Sequence, residues 1–161
     1  LNAMSETGQM LTSLLMIIGG APGSTAGGMK VTTFVVMVSV AAAVFQRRQN
    51  GCFFGRRIDD ETVKNAATVF LMYISLFLIG GMAISKLENL PIMACLYESA
   101  SAGGTVGLSL GITPELGTVS KLILIAQMYI GRVGGLTLIF ATLPATKNTL
   151  SRLPVEKISV G

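Results

Sequence analysis

Histidine is absent from this sequence, cysteine occurs only twice, and charged residues are scarce. Cys52 and Cys95 lie far apart, and neither has other metal-ligating residues near it at the spacing of a metal site. The sequence therefore supports neither a metal site nor a disulfide framework. Lys, Arg, Asp and Glu make up 12% of the chain, whereas soluble domains carry about 25%. No basic stretch is interleaved with aromatic residues, which argues against nucleic-acid binding.

Apolar residues, in contrast, are abundant. They make up 51% of the 161 residues, and they come in runs rather than at amphipathic spacing. Together with a mean hydropathy of +0.68, these runs are typical of an integral membrane protein. The chain begins with Leu1 and shows no signal peptide, so we expect it to be a piece of a longer protein.

The first apolar region, residues 10–45, is interrupted in a way that forbids one continuous helix. Such a helix would be about 54 Å long, against a hydrocarbon core of about 30 Å. The interruption, residues 19–30, has the sequence GGAPGSTAGGMK, and its proline and glycines do not sustain a helix. We predict two half-helices joined by this segment, which we call the insert. Irregular backbone at membrane depth survives only within protein or beside a wet cavity.

The insert has three interpretations. The spacing from Gly23 to Gly28 resembles a phosphate-binding loop, but the lysine comes one place late, at Lys30, and Val31 replaces the expected Ser or Thr. No βαβ pattern follows, which also disfavours nucleotide binding. The second interpretation is a structural kink without function. The third, which we favour, is a pore-lining or gating segment.

The polar stretch that follows, residues 49–65, is predicted to be a cytoplasmic loop. The basic pairs Arg47-Arg48 and Arg56-Arg57 place it inside by the positive-inside rule. The acidic run at residues 59–61 suits the N-terminus of a helix. Residues 66–84 then form a span of about 19 residues, the length that a bilayer needs.

A second short apolar stretch, residues 90–102, is too short to cross the bilayer. Pro91 suits the first turn of a helix and Gly103-Gly104 suits its end, so we predict a re-entrant half-helix that enters from outside. Its C-terminal dipole would point at a cation. Glu98 either buttresses this end by hydrogen bonds or adds to the field, and we favour the buttress. The glycine-rich residues 103–111 offer backbone carbonyls to a dehydrated cation.

The last span is predicted at residues 119–143. Residues 113–115, Thr-Pro-Glu, suit a helix start, with an N-cap, a proline at N1 and an acid in the first turn. Lys147, Arg152 and Lys157 place the tail, residues 146–161, in the cytoplasm. Both basic regions lie on one side only if residues 90–112 re-enter without crossing, so this parity supports the re-entrant half-helix.

Two basic residues are predicted near the membrane midplane. Arg132 lies near the centre of the last span, where arginine costs about 2.5–3.5 kcal/mol, and Lys30 lies about 22 Å from the cytoplasmic end of its half-helix. Gly131 and Gly135 would permit close helix packing around Arg132. Each cation either pairs with a buried acid such as Glu98 or a helix C-terminus, or projects into a permeation path and tunes gating.

At these segments the chain resembles the Trk/Ktr/HKT superfamily of potassium transporters, and the Ktr-type membrane subunit in particular. The matching segments are the insert, GTVGLS at residues 104–109 and YIGRVG at residues 129–134. They fall in the right order, have suitable spacing and span most of the chain. Gly135 departs from the proline that the family pattern has there.

The resemblance implies an all-α integral membrane fold built from helix–re-entrant pore loop–helix repeats, four of which surround one pore. One complete, K⁺-channel-like repeat occupies residues 66–145, and residues 1–48 are the broken second helix of the preceding repeat. Thr105, Val106, Gly107 and Leu108 would form the fourth strand of the selectivity filter. The implied gate consists of Gly19, Gly20, Gly23, Ser24, Thr25, Gly27, Gly28, Lys30 and Arg132.

The implied function is potassium uptake across the plasma membrane by a multi-pass protein, not an enzyme, with the start of this chain outside and its end in the cytoplasm. K⁺ is the transported ion, and Na⁺ is a candidate coupling ion. The implied partners are the rest of the same pore-forming chain, a homodimer partner, a cytoplasmic nucleotide-binding regulatory ring of the KtrA/TrkA type, and the lipid bilayer.

Two other functions stay open at this point. A homotetrameric K⁺ channel with one pore loop per chain would start with the outer helix of its own repeat, whereas a broken extra span comes first here. A non-conducting membrane anchor or assembly subunit needs neither a mid-membrane glycine-rich strand nor Arg132.

Overall fold

The computed structural model describes residues 4–47, 52–53 and 56–134. Within these ranges it contains five α-helices, which are α1 (Glu6–Ile17), α2 (Val31–Phe45), α3 (Asp60–Glu88), α4 (Ile92–Gly104) and α5 (Thr118–Val133). Two very short strands, β1 (Cys52–Phe53) and β2 (Arg56–Arg57), pair antiparallel between α2 and α3. The described part of the chain is therefore helical apart from this pair and the connecting loops.

The two half-helices predicted at the start of the chain are α1 and α2, and the insert separates them. Ser5 caps α1, because its hydroxyl accepts a hydrogen bond from the Gly8 amide at 3.2 Å. The 15 residues of α2 extend over about 22 Å, too little to cross a core of about 30 Å. The glycines and proline of the insert thus break the span where the sequence predicted the break.

Helix α3 is, among the described residues, the helix that is long and apolar enough to cross a membrane, judged by length and composition. Its 29 residues extend beyond the predicted span 66–84 at both ends. The Asp59 carboxylate caps it by accepting a hydrogen bond from the Glu61 amide at 3.2 Å. Asp60 and Glu61 lie in its first turn, where the helix dipole favours negative charge.

Helix α4 lies at the centre of the described fold and packs against α1, α3 and α5. Every residue from position 97 to position 104 is buried, and from position 99 onwards these residues are only Ser, Ala and Gly. Small side chains allow the neighbouring helices to approach closely. Two apolar clusters flank α4, one containing Met16, Ile17, Met29, Tyr73, Phe77, Tyr97, Ala100 and Leu110, the other Ile84, Cys95, Ala102, Leu116 and Leu124.

The helix boundaries on both sides of the glycine-rich residues 103–111 differ from the predicted ones. Helix α4 does not stop at residue 102 but includes Gly103 and Gly104, and the chain turns at Thr105. Residues Thr113–Glu115 do not begin the last helix but form a separate 3-10 turn, and α5 begins at Thr118. The Thr113 hydroxyl donates to Glu98 instead of capping a helix, and the Glu88 carboxylate accepts the Gly117 amide at the start of α5.

Helix α5 ends at Val133, ten residues before the predicted end of the last span at residue 143, and the described residues stop at Gly134. Gly135, the remainder of residues 119–143, and the tail 146–161 with Lys147, Arg152 and Lys157 therefore have no structural account. Arg48 also lies outside the described ranges. The assignment of the helices to repeats three and four stays a prediction.

Candidate functional site

The glycine-rich strand, residues 105–110, leaves α4 through a left-handed turn at Thr105 and has no regular secondary structure. The Thr105 amide donates to the Ala102 carbonyl at 3.0 Å, and the Val106 amide donates to the Ser101 carbonyl at 2.9 Å. These bonds satisfy carbonyls at the end of the helix, as a C-cap requires. Gly107 has φ +84°, a conformation that residues with a side chain rarely adopt. The backbone conformation at this position therefore favours glycine.

The backbone of this strand offers unpaired acceptors. Among the described residues, no hydrogen-bond donor lies on the carbonyl oxygens of Thr105, Val106, Gly107 or Leu108. The Val106 and Leu108 side chains are 44% and 39% exposed, so they do not fill the described core. The strand therefore presents carbonyl dipoles and no titratable group, which suits coordination of a dehydrated cation rather than acid–base chemistry.

The insert folds into a loop that is closed at its base. Ile18 and Met29 form an isolated parallel bridge, the Gly19 amide donates to the Met29 carbonyl at 2.6 Å, and the Met29 amide donates to the Ile17 carbonyl at 3.1 Å. A Cβ atom at Gly19 would collide with the carbonyl oxygen of Gly27 across the loop. The two arms of the insert thus approach so closely that glycine is needed at this position.

The insert also contacts the strand and α5. The Gly27 amide donates to the Thr105 hydroxyl at 2.8 Å, and the Gly28 amide donates to the Gly131 carbonyl at 3.2 Å. A Cβ atom at Gly27 would lie 2.6 Å from the Thr105 methyl group, so the close approach depends on this glycine. Three segments that the sequence singled out separately therefore meet at one place.

Within the part of the chain that the structure describes, both candidate gate cations bind carbonyl oxygens of the insert rather than a carboxylate. The Arg132 guanidinium, at the end of α5, donates to the Thr25 carbonyl. The Lys30 ammonium donates to the Ser24 carbonyl at 3.2 Å and to the Ala26 carbonyl at 2.7 Å. The tip of the insert, residues 24–26, is thus held by Lys30 at the end of the insert and by Arg132 of α5.

The insert and the strand border a common cavity of about 440 Å³. Its walls include Gly19, Gly20 and Ala26 from the insert, and Thr105 and Val106 from the strand. The end of α1 completes the wall. The predicted filter and the predicted gate therefore face the same space.

Comparison with known proteins assigns the family. The family model for TrkH, described as a cation transport protein, matches residues 1–150. The chain belongs to the TrkH cation transport family. The resemblance to Trk/Ktr transporters inferred from the insert, GTVGLS and YIGRVG is thus confirmed, and the TrkH family is one of membrane transporters rather than enzymes.

Individual relatives agree with the TrkH assignment. The potassium/sodium uptake protein NtpJ of Enterococcus hirae is 40% identical over 164 residues, which cover 98% of this chain and 36% of that protein. The Ktr system potassium uptake protein B of Bacillus subtilis is 35% identical over 159 residues, covering 99% of this chain and 36% of that protein. The Ktr system potassium uptake protein D of the same organism is 30% identical over 162 residues, covering 100% and 36%. The chain spans about a third of the length of the curated relatives it matches.

Some contacts that hold this TrkH-family site together were not predicted from the sequence. Gly27 and Thr105 are 78 positions apart, and no local pattern relates them. Glu88, at the end of α3, accepts hydrogen bonds from the Gly117 amide at 2.8 Å and the Ser120 hydroxyl at 2.5 Å, and so caps α5 from a neighbouring helix. The available signal was the absence of a capping residue immediately before α5, where Gly117 stands.

Proposed function

We propose that this chain contributes one quarter of a K⁺-selective pore, together with an intramembrane gate, to the pore-forming subunit of a Trk/Ktr-type potassium uptake transporter. The observation that carries the proposal is the strand at residues 105–108, whose carbonyl oxygens have no donor among the described residues. The strand begins at the C-terminal end of the buried helix α4, where the helix dipole favours a cation. In potassium channels, rings of backbone carbonyl oxygens in the filter replace the hydration shell of the K⁺ ion.

The lengths of the helices support the proposed topology. Helices α1 and α2 are the broken second helix of repeat three, and α3, α4 and α5 belong to repeat four. The 13 residues of α4 cover about 20 Å and do not cross a bilayer, which supports the proposal that α4 enters from outside and stops at mid-membrane. The other three filter strands come from the rest of the pore-forming chain.

The proposed gate is the insert with Arg132 and Lys30, directly beside the strand. Both cations donate hydrogen bonds to carbonyl oxygens of the insert. The cavity between the insert and the strand supports the proposal that the insert closes the ion path beside the filter. A fixed positive charge in that path would raise the barrier to K⁺. Release of Arg132 from Thr25 would free the tip of the insert.

The names of the relatives support the ions of this proposal. These names, potassium/sodium uptake protein and Ktr system potassium uptake protein, support the uptake of K⁺ and Na⁺. We propose K⁺ as the transported ion and Na⁺ as the coupling ion. The proposed assembly is a homodimer in the plasma membrane, bound to a cytoplasmic nucleotide-binding ring. The segment between α2 and α3, which contains Arg57, would lie on the side of that ring by the positive-inside rule.

The test is complementation of a bacterial strain that lacks its own potassium uptake systems. We expect the full-length gene that encodes this chain to restore growth at low K⁺, and Gly107→Asp to abolish the rescue, because a side chain at φ +84° and a fixed charge both distort the strand. Gly8→Ala, in the first turn of α1, is the control for a neutral glycine replacement. If the wild type is present in the membrane without rescue, or if Gly107→Asp rescues equally well, the proposed function is refuted.

A further inference from the structure

Glu98 is a buried carboxylate that holds the far end of the glycine-rich strand. Its side chain belongs to α4 and the residue is 5% exposed. One carboxylate oxygen accepts hydrogen bonds from the Ser109 hydroxyl at 2.5 Å and the Leu110 amide at 3.1 Å. The other accepts the Thr113 hydroxyl at 2.9 Å. A buried carboxylate is costly unless hydrogen bonds compensate it, and here all three donors come from one short segment of chain.

These bonds leave the strand attached to α4 at both ends. At the near end, the Thr105 and Val106 amides close the last turn of the helix. At the far end, Glu98 holds Ser109 and Leu110, and the Leu110 side chain packs in the apolar cluster around Tyr97. Between these attachments, residues 106–108 are exposed. The positions of their carbonyl oxygens therefore depend on the two attachments, and Glu98 is the polar part of the second one.

The hydrogen bonds around Glu98 do not require its charge. In Glu98→Gln, an amide oxygen at the first position would still accept from Ser109 and Leu110. The amide nitrogen at the second position would donate to the Thr113 hydroxyl, whose own proton would turn to the Ser109 hydroxyl, 3.0 Å away. The Ser109 oxygen already accepts the Gly111 amide at 2.8 Å and has a second lone pair for this bond. Every bond of the network then survives with its protons rearranged.

We propose that Glu98 is a positioning residue for ion selectivity, which sets the carbonyls of residues 106–108 through hydrogen bonds to Ser109, Leu110 and Thr113 and not through its charge. The inference rests on the proposed function, since it names the group that keeps the strand in the geometry of a filter. In this proposal Glu98 does not coordinate the ion. Its effect reaches the ion through the strand.

The experiment measures K⁺, Rb⁺ and Na⁺ uptake by the full-length transporter in cells, with KM and maximal rate determined separately for each ion. For Glu98→Ala we expect the preference for K⁺ over Na⁺ to fall roughly tenfold, because all three hydrogen bonds to the carboxylate are lost. For Glu98→Gln we expect the preference to stay within about twofold of the wild type, because the network can be rebuilt. Ser109→Ala and Thr113→Val, which each remove one of the three hydrogen bonds to the carboxylate, should fall between the two.

Glu115→Gln is the matched control for charge. Glu115 is an exposed acid two residues after Thr113, so its replacement removes the same charge near the same segment without touching the network. Membrane abundance of every variant is measured beside uptake. If Glu98→Ala does not accumulate, Thr113→Val decides the question, because it leaves the bonds to Ser109 and Leu110 in place.

Each outcome decides for or against the inference. Loss of preference in Glu98→Ala with retention in Glu98→Gln and Glu115→Gln supports it. Equal loss in Glu98→Ala and Glu98→Gln overturns it in favour of a role for the charge. Unchanged preference in Glu98→Ala, or in Thr113→Val where Glu98→Ala is absent from the membrane, overturns it while the proposed function stands. A wild type that transports no K⁺ refutes the proposed function itself.

Discussion

Gly103 and Gly104 are adjacent, buried and helical, yet we expect their replacement by alanine to change the stability of the protein in opposite directions. A Cβ atom at Gly104 would collide with the carbonyl oxygen of Met16 and would lie 3.2 Å from its carbonyl carbon. Among the described residues, a Cβ atom at Gly103 would meet only the Leu76 side chain, at 3.9 Å, which is ordinary van der Waals contact. The two positions differ because α1 approaches α4 on one side only.

The size of the effect follows from the atoms involved. The atom that obstructs Gly104→Ala belongs to the backbone of α1, one residue before that helix ends, so α1 and α4 must separate. Such overpacking costs about 1–3 kcal/mol of stability. Gly103→Ala should instead gain about 0.5–1 kcal/mol, because alanine loses less conformational freedom in a helix than glycine does. The two variants should therefore differ by about 1.5–4 kcal/mol in their free energy of unfolding.

The assay is thermal unfolding of the full-length transporter in detergent, with membrane abundance and K⁺ uptake measured in parallel. We expect Gly103→Ala to unfold at or above the wild-type temperature, and Gly104→Ala to unfold below it. Uptake should also fall in Gly104→Ala, because Met16 lies just before the insert and moves with α1. Equal unfolding temperatures, or the reverse order, would show that the Met16 carbonyl of α1 does not lie against Gly104 of α4.

Substitutions at three further positions test the proposed gate and its surroundings. Arg132→Ala should raise ion flux or loosen gating, because the Thr25 carbonyl loses its cation, whereas Arg132→Lys should have a smaller effect; unchanged flux in both would remove Arg132 from the gate. Thr105→Val should lose the bond from the Gly27 amide, a change worth about 1 kcal/mol, and alter uptake, while Thr105→Ser should behave as the wild type. Gln127→Met should leave the unfolding temperature unchanged or raise it, since Gln127 buries an oxygen that lacks a partner among the described residues; a marked fall would show that its amide bonds matter more.

The features that the sequence predicted well are those with a local physical cause. Proline and glycines in the insert break the helix between Ile17 and Val31 whatever the surroundings are. Asp59 caps the start of α3, because its carboxylate can accept a hydrogen bond from a free amide in the first turn of the helix whatever surrounds it. Glu98, chosen as a hydrogen-bonding buttress from its place one turn from the end of the half-helix, does accept three hydrogen bonds.

The features that the sequence did not reveal depend on contacts across the fold. Thr113 has the residue type and the following proline of an N-cap, but its hydroxyl bonds to Glu98, 15 positions away, and α5 begins later. The missing cap of α5 comes from Glu88, 29 positions before Gly117. Side-chain partners at such separations follow from the packing of α3, α4 and α5, which no local pattern encodes. Tertiary contacts therefore overrode a correct local preference.

The contacts of the insert also indicate how much of it moves if it is a gate. Residues 21–26 are exposed, and this part of the insert is attached to the rest of the fold through the Gly27 and Gly28 amides and the Arg132 guanidinium. Hydrogen bonds of this kind contribute about 0.5–1.5 kcal/mol each, more where a charge is involved, so opening the tip costs only a few kcal/mol. Met29 differs, because it is 2% exposed and packs in the apolar cluster around Tyr97. Motion should therefore end at Gly28, whose φ of +76° suits a hinge, while Met29 keeps the base of the insert closed against Ile18.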